Sequence, residues 1–208
     1  KKLEKLKESR DQKKKPDNVP SLLLIADGVH TIEIYKDGNG YDCNYLDIDF
    51  PITIVGESKD GCIIIGGLRM YGKKKDDVYV KHLTISQSKG QGVWGYDGMS
   101  IHLDNLNIEK SGERGVWVFG TKRNTISNCQ VSYSKWCGVL VGNGLITMNG
   151  SGTSIHNNVT GVDSRYCGLY TYLSSASIHL VSPLTKESVS SNNGGGGNYG
   201  GDGTIKTI

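Results

Sequence analysis

The feature that most limits what this 208-residue chain can fold into is a short phrase that returns at a near-fixed interval. Gly92, Gly115, Gly138 and Gly168 are each followed by an aliphatic residue: Val93, Val116, Val139 and Leu169. Trp94, Trp117, Leu140 and Tyr170 come next. Four residues before the same glycines stand Ser88, Ser111, Ser134 and Ser164, and seven before stand Ile85, Ile108 and Val131, with Gly161 a misfit in the last copy. Ten before stand His82, Asn105, Asn128 and Asn158, the last depending on the register chosen at Asn157 and Asn158. The glycines are 23, 23 and 30 residues apart, and the third repeat carries what reads as a longer insert at 142–152. A unit this short, made of β-rich runs without helical period, excludes a helical solenoid and falls below the ~40–45 residues of a propeller blade. Leucine-rich repeats need a fixed Leu spacing that is absent. A β-solenoid remains, each unit making one coil of short strands.

Composition agrees. The chain holds 29 Gly and only two Phe, which suits tight turns and disfavours long helices. No apolar run approaches the ~20 residues that a membrane helix needs, so no membrane partner is expected. Charge is uneven. Residues 1–15 hold seven Lys and Arg10 against Glu4, Glu8 and Asp11, a local charge of +5 in a chain whose total is +3. With Leu3 and Leu6 three apart, this head reads as a short amphipathic helix with a solvated basic face, and nucleic acid is not the expected partner. The expected organisation is a basic capping helix and linker over 1–19, then a β-solenoid over 20–208.

In a stack of coils, each column of the repeat recurs every ~4.8 Å. Alternation sends Val93, Val116, Val139 and Leu169 inward and Trp94, Trp117, Leu140 and Tyr170 outward. The Asn and Ser columns then read as ladders that satisfy polar groups at the turns. Cys137 and Cys167 share a column, within the ~4.4–6.8 Å Cα range of a disulfide, and read as stacked free thiols. His30, His82, His102, His156 and His179 form no HxH or HxxxH pair and read as turn or ladder residues.

The phrases "DGVHTI", "FPITIVGES" and "CIIIGGLRM", with the recurrent Asn–aliphatic–Gly-Val/Leu coils, resemble right-handed parallel β-helix proteins of the pectin-lyase-like superfamily. The resemblance implies an all-β, right-handed parallel β-helix with a short N-terminal capping helix over residues 3–12. Enzymes of that superfamily act on acidic polysaccharides as lyases, hydrolases, esterases and epimerases. Their signatures are missing here: Asn-Thr-Asp-Gly and Gly-His-Gly, Asp-Pro-His, Gln-Asp-Thr, Asp-Phe-Ile-Phe-Gly and Trp-Ile-Asp-His. "WGYDGMSIH", with Tyr96, Asp97 and His102, matches none of them. The expected function is therefore a non-catalytic β-helix that binds polysaccharide or serves as a structural surface module, in an extracellular or surface-associated setting. The alternatives are a lyase or epimerase acting on uronic-acid polymers and a protein-interaction scaffold.

The expected ligand-binding residues are Trp94, Trp117 and Tyr170 in the outward stripe, with Lys89, Lys135 and Arg165 along one edge to meet carboxylates or sulfates. Those three cations are also the candidate bases for an elimination reaction. A large exposed apolar stripe needs a partner, and the alternative is that the 142–152 segment or another chain covers it. No cofactor is expected. Calcium stays open, with Asp76, Asp77, Asp97 and Asp163 as candidate ligands. "GGGGNYGGD" is not a calcium nonapeptide, because Tyr199 stands where that motif requires Asp. Self-association end to end or side by side is the remaining partner expectation.

Overall fold

The computed structural model describes residues 21–96, 98–161 and 165–208. The expected capping helix, Asp97, Asp163 and Ser164 lie outside them. Among the described residues the chain forms a parallel β-solenoid of about seven turns, and no helix is long and apolar enough to cross a membrane.

Each coil has three sides. Face A contains β1 (Leu22–Ile25), β6 (Ile52–Gly56), β9 (Asp77–Lys81) and β12 (Ser100–Asp104). Face B contains β2 (Gly28–Thr31), β7 (Cys62–Ile65), β10 (Thr84–Ser86), β13 (Asn107–Glu109), β15 (Gln130–Ser132), β17 (Ser154–His156) and β20 (Ser190–Ser191). Face C contains β5 (Tyr45–Ile48), β8 (Gly67–Tyr71) and β11 (Val93–Tyr96). Two long strands, β14 (Val116–Ser127) and β16 (Val139–Asn149), begin on face C and continue around a corner onto face A, so the two faces join in one 13-stranded sheet. Later coils add β18 (Leu169–Thr171) and β21 (Tyr199–Gly201) to face C, and β19 (Ser177–Leu180) and β22 (Thr204–Thr207) to face A. A small antiparallel pair, β3 (Tyr35–Lys36) with β4 (Asp42–Cys43), lies between β2 and β5, and a single helical turn, α1 (Lys186–Val189), precedes β20.

The repeat follows from what fills the lumen. Leu46, Leu68, Val93, Val116, Val139 and Leu169 are register partners on face C, and all are buried. Ile64, Ile85, Ile108, Val131 and Ile155 do the same on face B, and Ile54, Val80, Leu103, Ile126, Met148 and Leu180 on face A. The coils thus donate at least one aliphatic side chain on each of these faces to a continuous core, and face A adds a second buried column of Ile52, Val78 and Ile101. The corners are one-residue kinks. His82, Asn105 and Asn128 turn from face A to face B with φ of 50–55°, and Gln87, Lys110, Tyr133, Asn157 and Asn192 leave face B with φ of 54–57°. Asn tolerates this left-handed region better than most residues, which is why it recurs at the corners.

Three readings of the sequence change here. Asn158 does not continue the Asn105–Asn128 column; Gly150 does, following Asn149, the partner of Ser127. Asn158 instead stacks on Ser134, whose N–H donates to Asn158 Oδ1 at 3.0 Å, and Ile155 replaces the misfit Gly161 over Val131. The 142–152 segment is not an insert that covers the stripe, because most of it is β16, paired with β14 and β19. The added length falls mainly in the passage from His156 to Leu169, where the preceding coil runs only from Ser132 to Val139. Asn158-Val159-Thr160 has the form of a glycosylation sequon, and it is closed in the folded chain, since the Asn158 side chain is 2% exposed and fully hydrogen-bonded. All five cysteines are free, and burial pushes the Cys137 thiol up to about 12.

Candidate functional site

The outward column of face C is in register from end to end: Asp47, Arg69, Trp94, Trp117, Leu140, Tyr170 and Gly200. Trp94 and Trp117 stack with ring centroids 5.1 Å apart and planes 6° apart. Strand alternation puts them outside, and the coil spacing brings them to van der Waals contact. Both remain half-buried, and neither indole N–H reaches an acceptor. Leu140 shares the column but is 4% exposed, so the expected apolar stripe is interrupted there.

Arginines extend the aromatic column at both ends. Arg69 lies over the Tyr45 ring (5.2 Å) and the Trp94 ring (5.9 Å), and grips Asp47 through two parallel hydrogen bonds of 2.5 and 2.9 Å. That bidentate pair holds the guanidinium firmly charged. Arg114 sits between Trp117 and Trp136, at 4.6 and 4.7 Å from their ring centroids, with Tyr166 at 5.8 Å. Trp136 stacks on Tyr166, and Tyr166 meets Tyr170 edge-on at 6.1 Å. Tyr96 closes the other side, 4.8 Å from Trp94 and stacked on Tyr71 at 5.4 Å.

Glu113 supports this array from beneath. Its carboxylate accepts from Arg114 Nη1 at 3.2 Å and from the Gln91 amide; Gln91 Oε1 in turn accepts from the Tyr45 hydroxyl at 2.5 Å. Burial pushes the Glu113 carboxyl above its ordinary 4.5, against the pull of Arg114 and Lys135. The folded state therefore resists its ionisation, and the resulting cost is absent well below pH 4.5 and complete above the raised folded value. The stability of the wild type relative to Glu113→Gln is expected to fall as pH rises from about 4.5 through the acid range. Urea melts of both proteins at several pH values check this; a difference that rises with pH would contradict the burial.

Of the expected site residues, Trp94 and Trp117 touch each other, and Tyr170 is linked to Trp117 through Tyr166 and Arg114. Arg165 lies 5.9 Å over the Tyr166 ring, and Lys135 is exposed near Glu113. Lys89 is exposed on the flank near Asp42, with its backbone N–H held by Asn44. Sequence reasoning missed Arg69, Arg114, Trp136 and Tyr166. Two signals pointed to all of these but Arg114. Gly67-Leu68-Arg69 is the same phrase one coil earlier, and Trp136 and Tyr166 both stand two residues before an anchor glycine. Among the described residues, no group of three or more His, Cys, Asp or Glu converges to hold a metal. Asp77 is instead held by Arg123 at 2.9 Å and faces His102 at 3.3 Å.

A three-sided parallel solenoid of coils in register defines the class: a parallel β-helix. The right-handed β-helix region family model matches residues 66–207, and the chain belongs to that family. No curated protein and no solved structure matches it.

Proposed function

We propose that the protein is a carbohydrate-binding β-helix whose face C holds an extended polysaccharide without transforming it. The observation that supports this most is the unbroken register from Arg69 through Trp94 and Trp117 to Tyr170, flanked by exposed Lys89, Lys135 and Arg165. Half-exposed aromatic rings offer apolar surface to the C–H groups of sugars, and lysine and arginine offer charge to carboxylates or sulfates. Because the column repeats every ~4.8 Å, close to the length of one hexopyranose unit, Arg69, Trp94 and Trp117 on three successive coils are spaced to meet successive residues of a polymer.

The test is calorimetric titration of alginate, pectin and a glycosaminoglycan, alongside absorbance for unsaturated ends. Binding without turnover is expected to at least one of the three. Trp117→Ala should weaken that binding by about tenfold, equivalent to about 1.4 kcal/mol. Affinity for none of the three, or binding indifferent to Trp94→Ala and Trp117→Ala, would remove the proposal.

A further inference from the structure

Face A carries a second cluster, separate from the aromatic column and independent of the reading above. Its outward column runs Thr53, Tyr79, His102, Thr125, Thr147 and His179 in register. His102 lies on Tyr79 with ring centroids 4.5 Å apart and planes 15° apart. Its Nε2 faces Asp77 Oδ1 at 3.3 Å, and its Nδ1 faces Thr125 Oγ1 at 3.0 Å. Arg123 reaches the same Asp77 oxygen at 2.9 Å and the Lys74 carbonyl at 2.9 Å. Tyr79, His102 and Thr125 line a shallow open groove together with Lys81, Asp104 and Ser127.

These partners decide where the proton sits. An ionised Asp77 only accepts, so in the neutral imidazole Nε2 carries the hydrogen and Nδ1 keeps its lone pair. Thr125 is then the donor, and its hydroxyl proton is directed at His102. Column stacking alone does not produce this contact. Thr147 and His179 are neighbours in the same column and form no such hydrogen bond. A hydroxyl aimed at an imidazole, itself oriented by a carboxylate, is the arrangement that activates an alcohol for attack on acyl carbon.

We propose that Thr125 is the nucleophile of an acyl-transfer site that hydrolyses O-acyl esters with a small acyl group. Thr125 Oγ1 bonds to the ester carbonyl carbon while its proton passes to His102 Nδ1. The bond to the alcohol oxygen then breaks, and the alcohol leaves with that proton. Water attacks the acyl-threonine, giving a proton to His102 Nδ1; the bond from the acyl carbon to Oγ1 breaks, Thr125 recovers that proton and the carboxylic acid departs. Lys81, 3.9 Å from Asp104 in the same groove, is the cation placed to face the developing oxyanion. Asp77 and Arg123 act through His102 and are positioning residues. The groove is shallow and open, which suits a small acyl group carried on a larger alcohol.

The full chain is treated with an alkyl fluorophosphonate and the adduct located by peptide mass spectrometry, with p-nitrophenyl acetate hydrolysis followed in parallel. One adduct on Thr125 is expected. Thr125→Ser should keep it, Thr125→Val should lose it, and His102→Gln should slow labelling by about 100-fold. Asp77→Asn should slow labelling and displace its pH profile, which a purely structural aspartate would not do. Absence of an adduct on Thr125 in the wild type overturns the proposal. So does equal labelling in a His102→Gln protein whose circular dichroism is unchanged. If His102→Gln does not fold, the wild-type adduct and the Ser/Val pair at 125 decide.

Discussion

Gly115→Ala is expected to destabilise the protein by about 3 kcal/mol, the upper range for forcing a methyl into a packed interior. A Cβ at this position would lie 2.2 Å from Val131 Cγ1, 2.6 Å from the Gly138 carbonyl oxygen and 3.0 Å from Ser134 Oγ. None of these neighbours can yield cheaply. Val131 belongs to the face B core column, and the Gly138 carbonyl accepts from Val116 N–H at 2.8 Å in the ladder between coils. The anchor glycine recurs in the sequence because the space beside it is filled: by Ile108 and Ser111 at Gly92, by Val131 and Ser134 at Gly115, by Ile155 and Asn158 at Gly138, and by Asn193 and Ser190 at Gly168. For a domain of this size, about 3 kcal/mol lowers the melting temperature by about 10 °C. Gly38→Ala is the control: an added Cβ there meets nothing within 4 Å, and its effect should stay within about 0.5 kcal/mol. Thermal melts of the two variants check the pair, and equal effects would show that the lumen is not packed as described.

Asn158→Ala has the second large expected effect, again about 3 kcal/mol, from stranding buried partners. The Asn158 amide accepts from Ser134 N–H and donates to the carbonyls of Val131 at 2.9 Å and His156 at 3.0 Å, with Asn193 Oδ1 at 3.1 Å. Truncation leaves the Ser134 N–H without an acceptor in a site closed to water. Asn158→Asp should be no better, because the oxygen replacing Nδ2 would face two carbonyl oxygens. Asn193 continues the ladder into the next coil, with Nδ2 donating to the carbonyls of Ile155 and Ser191. Chemical denaturation of Asn158→Ala and Asn193→Ala, singly and together, would show whether the two amides act as one unit; a loss below about 1 kcal/mol for Asn158→Ala would contradict the buried ladder.

Most of the fold was legible because the solenoid repeats its physics with its sequence. Aliphatic side chains at fixed places on each face, a glycine ahead of the face C strand and kinked residues at both ends of face B make a period that needs no tertiary information to detect. The register of the fourth coil was less legible. Asn157 and Asn158 are adjacent and chemically identical, and only the backbone separates the corner residue from the ladder residue. The segment at 142–152 read as an insert because β16 carries the chain around the corner from face C to face A as one strand, with register irregularities against β14 there, where the coils before β14 use two separate strands. Trp94, Trp117 and Tyr170 were found by column, whereas Arg114 was not, since its column holds Gln91 and Cys137 in neighbouring coils and carries no residue-type signal. The Asp77–His102–Thr125 contact was illegible for another reason. His102 and Thr125 are column neighbours, but Asp77 meets His102 diagonally, two positions from His102's register partner Tyr79, and no fixed column encodes that meeting.

The central claim is that coils stack in register, and a crystal structure tests it most directly. The predicted result is that the Cα atoms of Val93, Val116, Val139 and Leu169 lie on one line at intervals of about 4.8 Å, all facing the lumen. A structure that shifts any of these strands by one residue would turn its aliphatic side chain to solvent and contradict the account.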